Sequence, residues 1–302
     1  MLVALSGGPD SLALAAAVAF EAPRRGMRAG AVIVDHGLQP GSADVAARAA
    51  QQATDLGLAP VLVRTVTVGS DGGPEAAARA ARYAALAEAA AEVSATAVLL
   101  GHTLDDQAET VLLGLARGSG AASLQGMAAQ AGLYVRPLLG IRRSVTVHAC
   151  ADAGLEPWHD PQNAEERFTR VRVRSTVLPV LEAELGPGIA EALARTAEQL
   201  REDSDALDHF ALELAEDLAE HSEAGIALPV AALAANPAAL RQRLIRLVVA
   251  SEFGVNLTRA QTLDVARLVT EWHGQAALDL PGIKVERRDG LVRFSAQSRQ
   301  EK

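Results

Sequence analysis

Titratable side chains crowd one short segment in the first half of the chain: His102, Asp105, Asp106 and Glu109. Their spacing of i, i+3, i+4 and i+7 predicts that they share one face of a helix. Three carboxylates in one place repel one another, which predicts a pocket for a cation, either a metal ion, a cationic substrate or both. Simple capping of a helix N-terminus by acidic residues is the alternative interpretation.

A second group is the hexapeptide Ser6-Gly7-Gly8-Pro9-Asp10-Ser11, which lies between an apolar run and an alanine-rich segment of helical character. A turn of small residues between a strand and a helix brings backbone N–H groups together on an anion, which predicts a nucleotide phosphate. The Lys-Ser/Thr pair of the common NTPase P-loop is missing here. Asp10 is a candidate Mg²⁺ ligand, because a carboxylate beside phosphates needs a cation between them. A glycine-rich turn without a ligand is the alternative.

Two further candidates flank these groups. Asp35, with His36 beside it, follows the second apolar run, where a carboxylate can hold a ribose hydroxyl, bind Mg²⁺ or act as a general base. Arg82 lies on one helical face with Glu75 and Arg79 and is a candidate for neutralising phosphate charge. Arg79 pairing with Glu75 at i, i+4 is the structural alternative.

The formal net charge of −9 gives no hint of a nucleic-acid partner, yet the arginines are clustered. Local clustering, rather than total charge, is what binds a phosphate backbone. A solvated surface paired with glutamates is the other interpretation. The arginines that are candidates for contact with a phosphate backbone are Arg142, Arg143, Arg170, Arg172 and Arg174.

The composition, 49% hydrophobic and 22% charged over 302 residues, is that of a globular protein. The single cysteine, Cys150, excludes a disulfide framework and any CxxC site. Without an apolar run of membrane-spanning length or a basic N-terminal leader, we expect a cytoplasmic protein with no membrane contact.

Apolar runs rich in β-branched residues alternate with alanine-rich helical stretches up to about Ala116, which predicts a Rossmann-like α/β fold with a parallel sheet covered by helices on both faces. The first strand is expected to be short, because Met1 closely precedes the glycine loop. Gly118-Ser119-Gly120 and Gly126 predict a flexible loop after the helix that ends near Ala116. Gly186-Pro187-Gly188 predicts a boundary between a catalytic domain, 1–186, and a smaller, mainly helical domain, 187–302, which ends in a hairpin through Asp289-Gly290. The second domain is expected to position a large substrate or to support a homodimer.

The hexapeptide resembles the SGGxDS signature of the PP-loop ATP pyrophosphatases, which cleave ATP between its α- and β-phosphates. Over about the first 180 residues, further segments resemble, in order, the motifs of the tRNA(Ile)-lysidine synthetase family: SGGPDSLAL, VDHGLQPGS, PEAAARAARYAAL, GHTLDDQAETVLL, RGSG, LQGM, RPLL and WHDPQNAEERFTRVRVRSTVLPVL. The related thiocytidine synthetases hold an iron–sulfur cluster with cysteine pairs, which one cysteine cannot supply.

This resemblance implies an enzyme that adenylates the wobble cytidine of a CAU anticodon with ATP and then joins free lysine to it, with Mg²⁺ as cofactor and tRNA(Ile) as partner. It implies catalytic roles for Asp35, Arg82, Asp105, Asp106 and Glu109. The implied ATP contacts are Ser6, Gly7, Gly8, Pro9, Asp10, Ser11 and His102, with Asp10 and Asp106 on the metal. A PP-loop adenylating enzyme with another substrate, or an ATP-binding module without turnover, is the alternative function.

Overall fold

The computed structural model describes residues 1–37, 41–69, 73–118, 120–222 and 225–297. Its contacts divide the chain into two compact units, Met1–Leu200 and Arg201–Lys302. No helix in the described ranges is both long and apolar enough to cross a membrane.

The first unit is built on a six-stranded sheet with the order β3-β2-β1-β4-β6-β5. Its strands are β1 (Leu2–Ala4), β2 (Gly30–Asp35), β3 (Val61–Thr65), β4 (Val98–Leu100), β5 (Gln130–Ala131) and β6 (Tyr134–Val135). All neighbours pair in parallel except β5 with β6. The predicted parallel sheet and the short first strand are therefore confirmed, whereas β5 and β6 are too short to leave a periodic signal.

Helices cover both faces of this sheet. The helices of this part of the chain are α1 (Pro9–Arg24), α2 (Ser42–Asp55), α3 (Pro74–Glu92), α4 (Leu104–Ala116), α5 (Gly120–Leu124), α6 (Arg143–Asp152), α7 (Thr169–Arg172) and α8 (Leu178–Leu185), followed by α9 (Ile189–Leu218). Successive side chains of β1 point to opposite faces of the sheet, which places them in two separate cores. Val3 packs in a core with residues of α1 and α2, and Leu2 packs with Leu86 of α3 on the opposite face.

Helix α5 lies in the segment predicted to be a flexible loop, and that prediction is wrong for Gly120–Leu124. Gly114 of α4 allows the contact, since a Cβ there would meet the Ser123 carbonyl oxygen at 2.6 Å. The buried side chain of Gln107 then binds both backbone polar groups of Met127, at 2.7 and 3.0 Å. Tertiary contacts therefore order a segment whose glycines indicate a loop.

The second unit has a five-stranded antiparallel sheet with the order β7-β8-β11-β10-β9. Its elements are β7 (Glu220–Ser222), β8 (Gly225–Pro229), α10 (Val230–Ala235), α11 (Ala238–Phe253), α12 (Arg259–Thr270), β9 (Leu278–Leu280), β10 (Ile283–Arg288) and β11 (Leu291–Ala296). The predicted hairpin is β10–β11, and both Asp289 and Gly290 have positive φ, as a tight hairpin turn requires. The sequence missed β7, β8 and β9, which become strands by pairing around this hairpin.

Helix α9 contains the division between the two units, which falls after Leu200. The boundary predicted from the sequence lies earlier, at the turn between α8 and α9. There the Glu182 carboxylate accepts hydrogen bonds from the backbone N–H groups of Gly188, Ile189 and Ala190, at 2.7, 3.2 and 3.1 Å. These bonds satisfy the free amides at the start of α9.

Candidate active site

Strands β2, β1 and β4 lie side by side, so the residues that follow them meet at one edge of the sheet. A cavity of about 260 Å³ opens at this edge and is lined by Ser6, Asp35, His36, Arg82 and Trp158 among others. The structure thus brings together the glycine loop, the carboxylate after β2 and the arginine of α3. Of the motif that follows β2, Leu38–Pro40 lie outside the described residues.

The glycine loop has the backbone geometry that its composition predicts. Gly7 has a φ of +82°, and the Ser11 hydroxyl closes the loop by accepting from Ser6 N at 3.1 Å and donating to Gly8 O at 3.0 Å. A Cβ on Gly101, after β4, would approach the backbone of Asp10 and Ser11 to 3.0 Å. The loop therefore leads directly into the N-terminus of α1, where backbone amides lack helical acceptors.

Trp158 is a cavity residue to which the sequence analysis assigned no role. Its backbone N–H donates to Gly7 O at 2.8 Å, and Gln52 of α2 binds both backbone polar groups of Glu156, at 3.1 and 3.3 Å. This segment is therefore fastened to the glycine loop and to α2. The only sequence signal was an aromatic residue within a polar turn.

Arg82 is half-buried and lines the cavity, and its side chain has no hydrogen bond or ion pair with any residue that the structure describes. Burial lowers the pKa of its guanidinium, with Tyr83 opposing and Arg79 reinforcing the shift. The side chain of Glu75 lies outside the described part of the chain, so its pairing with Arg79 stays a prediction. Arg79 lies over the Tyr83 ring, with 4.9 Å from Cζ to the centroid.

His36 and His102 each have a buried Nδ1 without a hydrogen-bond partner in the described part of the chain. Burial lowers the pKa of His102 to about 4, with Asp106 opposing and Arg136 and Arg82 reinforcing the shift. Burial also lowers the pKa of His36. Both imidazoles are thus neutral near pH 7, and that of His36 lines the cavity at the strand ends.

The acidic segment is not one continuous helical face. Helix α4 begins at Leu104, so His102 precedes it and Thr103 is its N-cap. Asp106 turns back to accept from Thr103 N and Thr103 Oγ1, at 2.8 and 2.9 Å, and so completes a capping box. The capping interpretation therefore holds for one oxygen of Asp106, while its other oxygen and Glu109 take part in a cluster.

Arg143, at the start of α6, is the centre of that cluster. Its Nε lies 3.2 Å from Asp10, its Nη2 lies 2.6 Å from Asp106 and its Nη1 lies 3.4 Å from Glu109. Arg174 donates to Glu109 at 2.6 and 3.0 Å and lies 3.3 Å from Asp106. Guanidinium groups of the chain itself therefore supply the positive charge that balances the carboxylates of Asp10, Asp106 and Glu109.

Burial makes this network strong. The Glu109 side chain has no exposed surface, and that of Asp106 is 13% exposed. Burial alone would raise the pKa of Asp106, but Arg143, Thr103 and Arg174 together hold it below its usual value. Burial opposes the charge on Arg143, yet Asp106, Glu109 and Asp10 raise its pKa. Arg174 reaches the cluster from a π-helical turn, Val173–Val177, between α7 and α8, a local geometry often found at functional sites.

A second cavity of about 260 Å³ adjoins the cluster. Three carboxylates and three guanidinium groups line it, those of Asp105, Glu109, Glu182, Arg142, Arg143 and Arg174. Arg142 lies 3.5 Å from Asp105 and 3.9 Å from Glu182. A small cavity with charges of both signs suits a zwitterionic ligand that carries an additional amine.

The arginines predicted to bind RNA are thus divided. Those at 142, 143 and 174 face carboxylates, and Arg172 donates to the backbone oxygens of Glu166 and Arg167 at 2.6 and 3.1 Å. Arg170 is 43% exposed, with its Nε 3.7 Å from Glu109. RNA binding by these residues stays a prediction.

Both predicted Mg²⁺ ligands already bind protein donors. Asp10 accepts from Thr146 Oγ1 and from Arg143, and Asp106 accepts from Thr103 and Arg143. The described residues hold no group of three or more acidic, histidine or cysteine side chains arranged for a metal ion. Because the Arg143 guanidinium occupies the place between the two carboxylates, this pair does not fit a shared Mg²⁺ ion in this arrangement.

Comparison with known proteins matches residues 1–181 to a PP-loop domain and residues 228–293 to the TilS substrate binding domain. A tRNA(Ile)-lysidine synthase of Leifsonia xyli subsp. xyli is 64% identical over 97% of this chain and 89% of the relative. The enzyme of the same name from Thermobifida fusca is 54% identical over 98% of this chain and 91% of its own length. The chain belongs to the tRNA(Ile)-lysidine synthase family.

The fold has a more distant counterpart in a solved structure, the U34-tRNA thiolase NcsA from Methanococcus maripaludis with its 4Fe-4S cluster. The two share a TM-score of 0.55 and 20% identity over 67% of this chain and 72% of the thiolase. At that identity the likeness shows the fold alone. The assignment to the lysidine synthase family therefore rests on the near full-length relatives. The matched PP-loop domain coincides with the six-stranded sheet and its helices.

Proposed function

We propose that this chain is an ATP-dependent ligase that joins free lysine to the wobble cytidine of the CAU anticodon of tRNA(Ile). The observation that carries the proposal is the position of Arg143, which contacts Asp10 of the glycine loop and Glu109 of the second cavity. Through it, a nucleotide phosphate on the loop and an amine beside the carboxylates would lie next to each other. We expect the reaction in the cytoplasm.

In the first step, the cytosine carbonyl oxygen attacks the α-phosphorus of ATP and pyrophosphate leaves. The nucleotide would occupy the cavity at the strand ends, with its phosphates on the amides of Gly7, Gly8 and Asp10. Arg82, a half-buried cation without a carboxylate partner among the described residues, suits the negative charge that develops on the phosphate. Participation of Mg²⁺ in this step stays a prediction.

Asp35 is suited to holding the nucleotide. Its Oδ1 accepts from Gly37 N at 2.9 Å, which fixes the carboxylate at the cavity wall. Its other oxygen has no donor in the described ranges and can accept from a ribose hydroxyl. Trp158 supplies an aromatic face to the same cavity.

In the second step, the ε-amine of lysine attacks the activated ring carbon and AMP departs. The amine must lose a proton first, and the carboxylates of Asp105, Glu109 and Glu182 line the cavity where it would bind. Arg142 and Arg143 in the same wall suit the lysine α-carboxylate. The second unit, which contains the matched substrate binding domain, would position the tRNA; a homodimer stays a prediction.

Mass spectrometry of the nucleosides of a CAU-anticodon tRNA(Ile) transcript, after incubation with enzyme, ATP, Mg²⁺ and lysine, tests the proposal. We expect lysidine, with pyrophosphate release that requires the tRNA and AMP release that requires both the tRNA and lysine. Release of ADP and orthophosphate, or ATP binding without turnover, would contradict it. Adenylation of another substrate would point to a different PP-loop ligase.

A pair of variants tests the site. Asp35→Asn is expected to reduce turnover severely, whereas Asp44→Asn, an exposed aspartate at the start of α2, should act as the parent enzyme does. Equal thermal stability of the two variants would show that the loss is not one of folding. Parent-like activity of Asp35→Asn would remove this residue from the mechanism.

A further inference from the structure

A third and larger cavity of the first unit forms a groove of about 660 Å³. Four arginines line it, Arg79, Arg117, Arg170 and Arg174. Asp160 is the only carboxylate in its described lining, and it accepts from Gln162 N at 2.9 Å. The groove is therefore strongly cationic on a chain whose net charge is −9.

Two of these cations have no carboxylate partner among the side chains that the structure describes. Arg117, at the end of α4, is exposed, and its side chain has no hydrogen bond or ion pair within the described part of the chain. Among the described side chains, Arg79 contacts that of Tyr83, with its Nη2 3.3 Å from the hydroxyl. Arg174, in contrast, is paired with Glu109. Cations that line one groove without a carboxylate partner among the described residues suit an anionic ligand, and planar guanidinium groups suit phosphate.

The groove leads to the nucleotide cavity, because Asp160 and Gln162 line both. Phe168 adds a half-buried aromatic ring to the groove, with Arg167 Cζ 4.7 Å from its centroid. Guanidinium groups that follow a backbone, combined with a ring on which a base can stack, are the elements of a single-stranded nucleic-acid site.

We infer that this groove binds the single-stranded RNA next to the nucleotide that enters the active site, with Arg79 and Arg117 on its phosphates and Phe168 stacked on a base. The inference rests on the proposed function, since it assigns the path of the same substrate. It differs from the sequence prediction, because Arg79 and Arg117 carry the binding and Arg142, Arg143 and Arg174 do not.

Fluorescence anisotropy with a labelled RNA stem-loop that carries the CAU anticodon loop tests this on the full chain. We expect Arg79→Gln and Arg117→Gln each to raise the Kd about threefold or more and to reduce the slope of log K against log salt by roughly 0.7, the value for one lost phosphate contact on a single strand. Phe168→Leu should raise the Kd and leave the salt slope unchanged. Arg25→Gln, an exposed arginine of α1 paired with Glu21, is the matched control.

ATP affinity, measured by Trp158 fluorescence, should stay at the parent value in all four variants. Parent-like RNA binding by the Arg79→Gln, Arg117→Gln double variant would overturn the inference. An equal loss of RNA affinity in Arg25→Gln would also overturn it, as would displacement of the RNA by poly-glutamate at equal charge. If the parent enzyme binds the stem-loop with the expected salt slope yet forms no lysidine, the proposed function fails alone. If the parent forms lysidine and the double variant keeps its KM for tRNA, only the groove assignment fails.

Discussion

Replacing Arg143 by methionine removes a guanidinium that contacts Asp10, Asp106 and Glu109 at 3.2, 2.6 and 3.4 Å. The Glu109 side chain has no exposed surface while Arg143 is present, so its charge depends on the guanidinium groups around it. Removing one partner of a buried ion pair costs about 3–5 kcal/mol. Because Arg174 still contacts two of the carboxylates and Thr146 still donates to Asp10, we expect the lower end, about 3 kcal/mol, or roughly 10 °C in the Tm of a unit of this size.

The assay is thermal unfolding in a Trp272→Phe background, which leaves Trp158 as the single tryptophan and makes its fluorescence a reporter of the first unit. The control is Arg25→Met, since Arg25 and Glu21 form an exposed pair at 3.5 Å. We expect its effect to stay below about 0.5 kcal/mol. An Arg143→Met protein whose Tm lies within about 2 °C of the parent at neutral pH would refute the reasoning.

The pH dependence provides a second check. The folded-state pKa of Asp106 lies below the ordinary value of 3.8, so its pairing stabilises the fold fully above the unfolded-state pKa and is lost as the pH falls through the folded-state pKa. The difference between parent and Arg143→Met should therefore be constant from neutral pH down to about pH 5 and shrink below about pH 4. A difference that persists in acid would show that the side chain acts through packing instead of charge.

Three further predictions follow from local geometry. Gly101→Ala places a Cβ 3.0 Å from the glycine-loop backbone and should weaken ATP binding about tenfold, equivalent to about 1.4 kcal/mol. Gly140→Ala, with no atom within 4 Å of the new Cβ, should leave ATP binding unchanged. Equal Kd values of the two variants, measured by Trp158 fluorescence, would count against the loop geometry. His102 should remain neutral until its pKa of about 4, and an NMR titration midpoint above about pH 6 would contradict its burial. Glu182→Gln removes the negative charge of the side chain that accepts hydrogen bonds from three backbone amides at the start of α9, and it should lower the free energy of unfolding by about 1 kcal/mol. Replacement of the exposed Glu184 by glutamine should have little effect. Equal effects of the two substitutions would disprove a capping role.

Much of the first unit could be predicted from the sequence because each buried strand is an apolar run and each covering helix is alanine-rich. The meeting of Ser6 with Asp35 also followed, since residues after adjacent parallel strands share one edge of the sheet. Thr103 and Asp106 have the spacing of a capping box, but the same carboxylate also suggests a ligand pocket, and only the packed structure assigns each oxygen to a donor.

The inward orientation of Arg143 could not be predicted from local patterns. Its partners lie on α1 and α4, and α6 packs against α1 only in the folded chain. An arginine in a basic stretch has the same sequence signature whether it faces RNA or a buried carboxylate. Trp158 is a similar case, because its place in the nucleotide cavity depends on a backbone hydrogen bond to Gly7.

The shared guanidinium of Arg143 also links two binding events that are usually treated as separate. In the proposed function Asp10 belongs to the loop that binds the nucleotide and Glu109 to the cavity that binds the amine, and Arg143 contacts both carboxylates. A phosphate that attracts Arg143 would leave Glu109 more negative and so raise its affinity for an incoming ammonium. Since such thermodynamic coupling is reciprocal, the order in which the two small substrates bind would depend on which anion this one arginine contacts first.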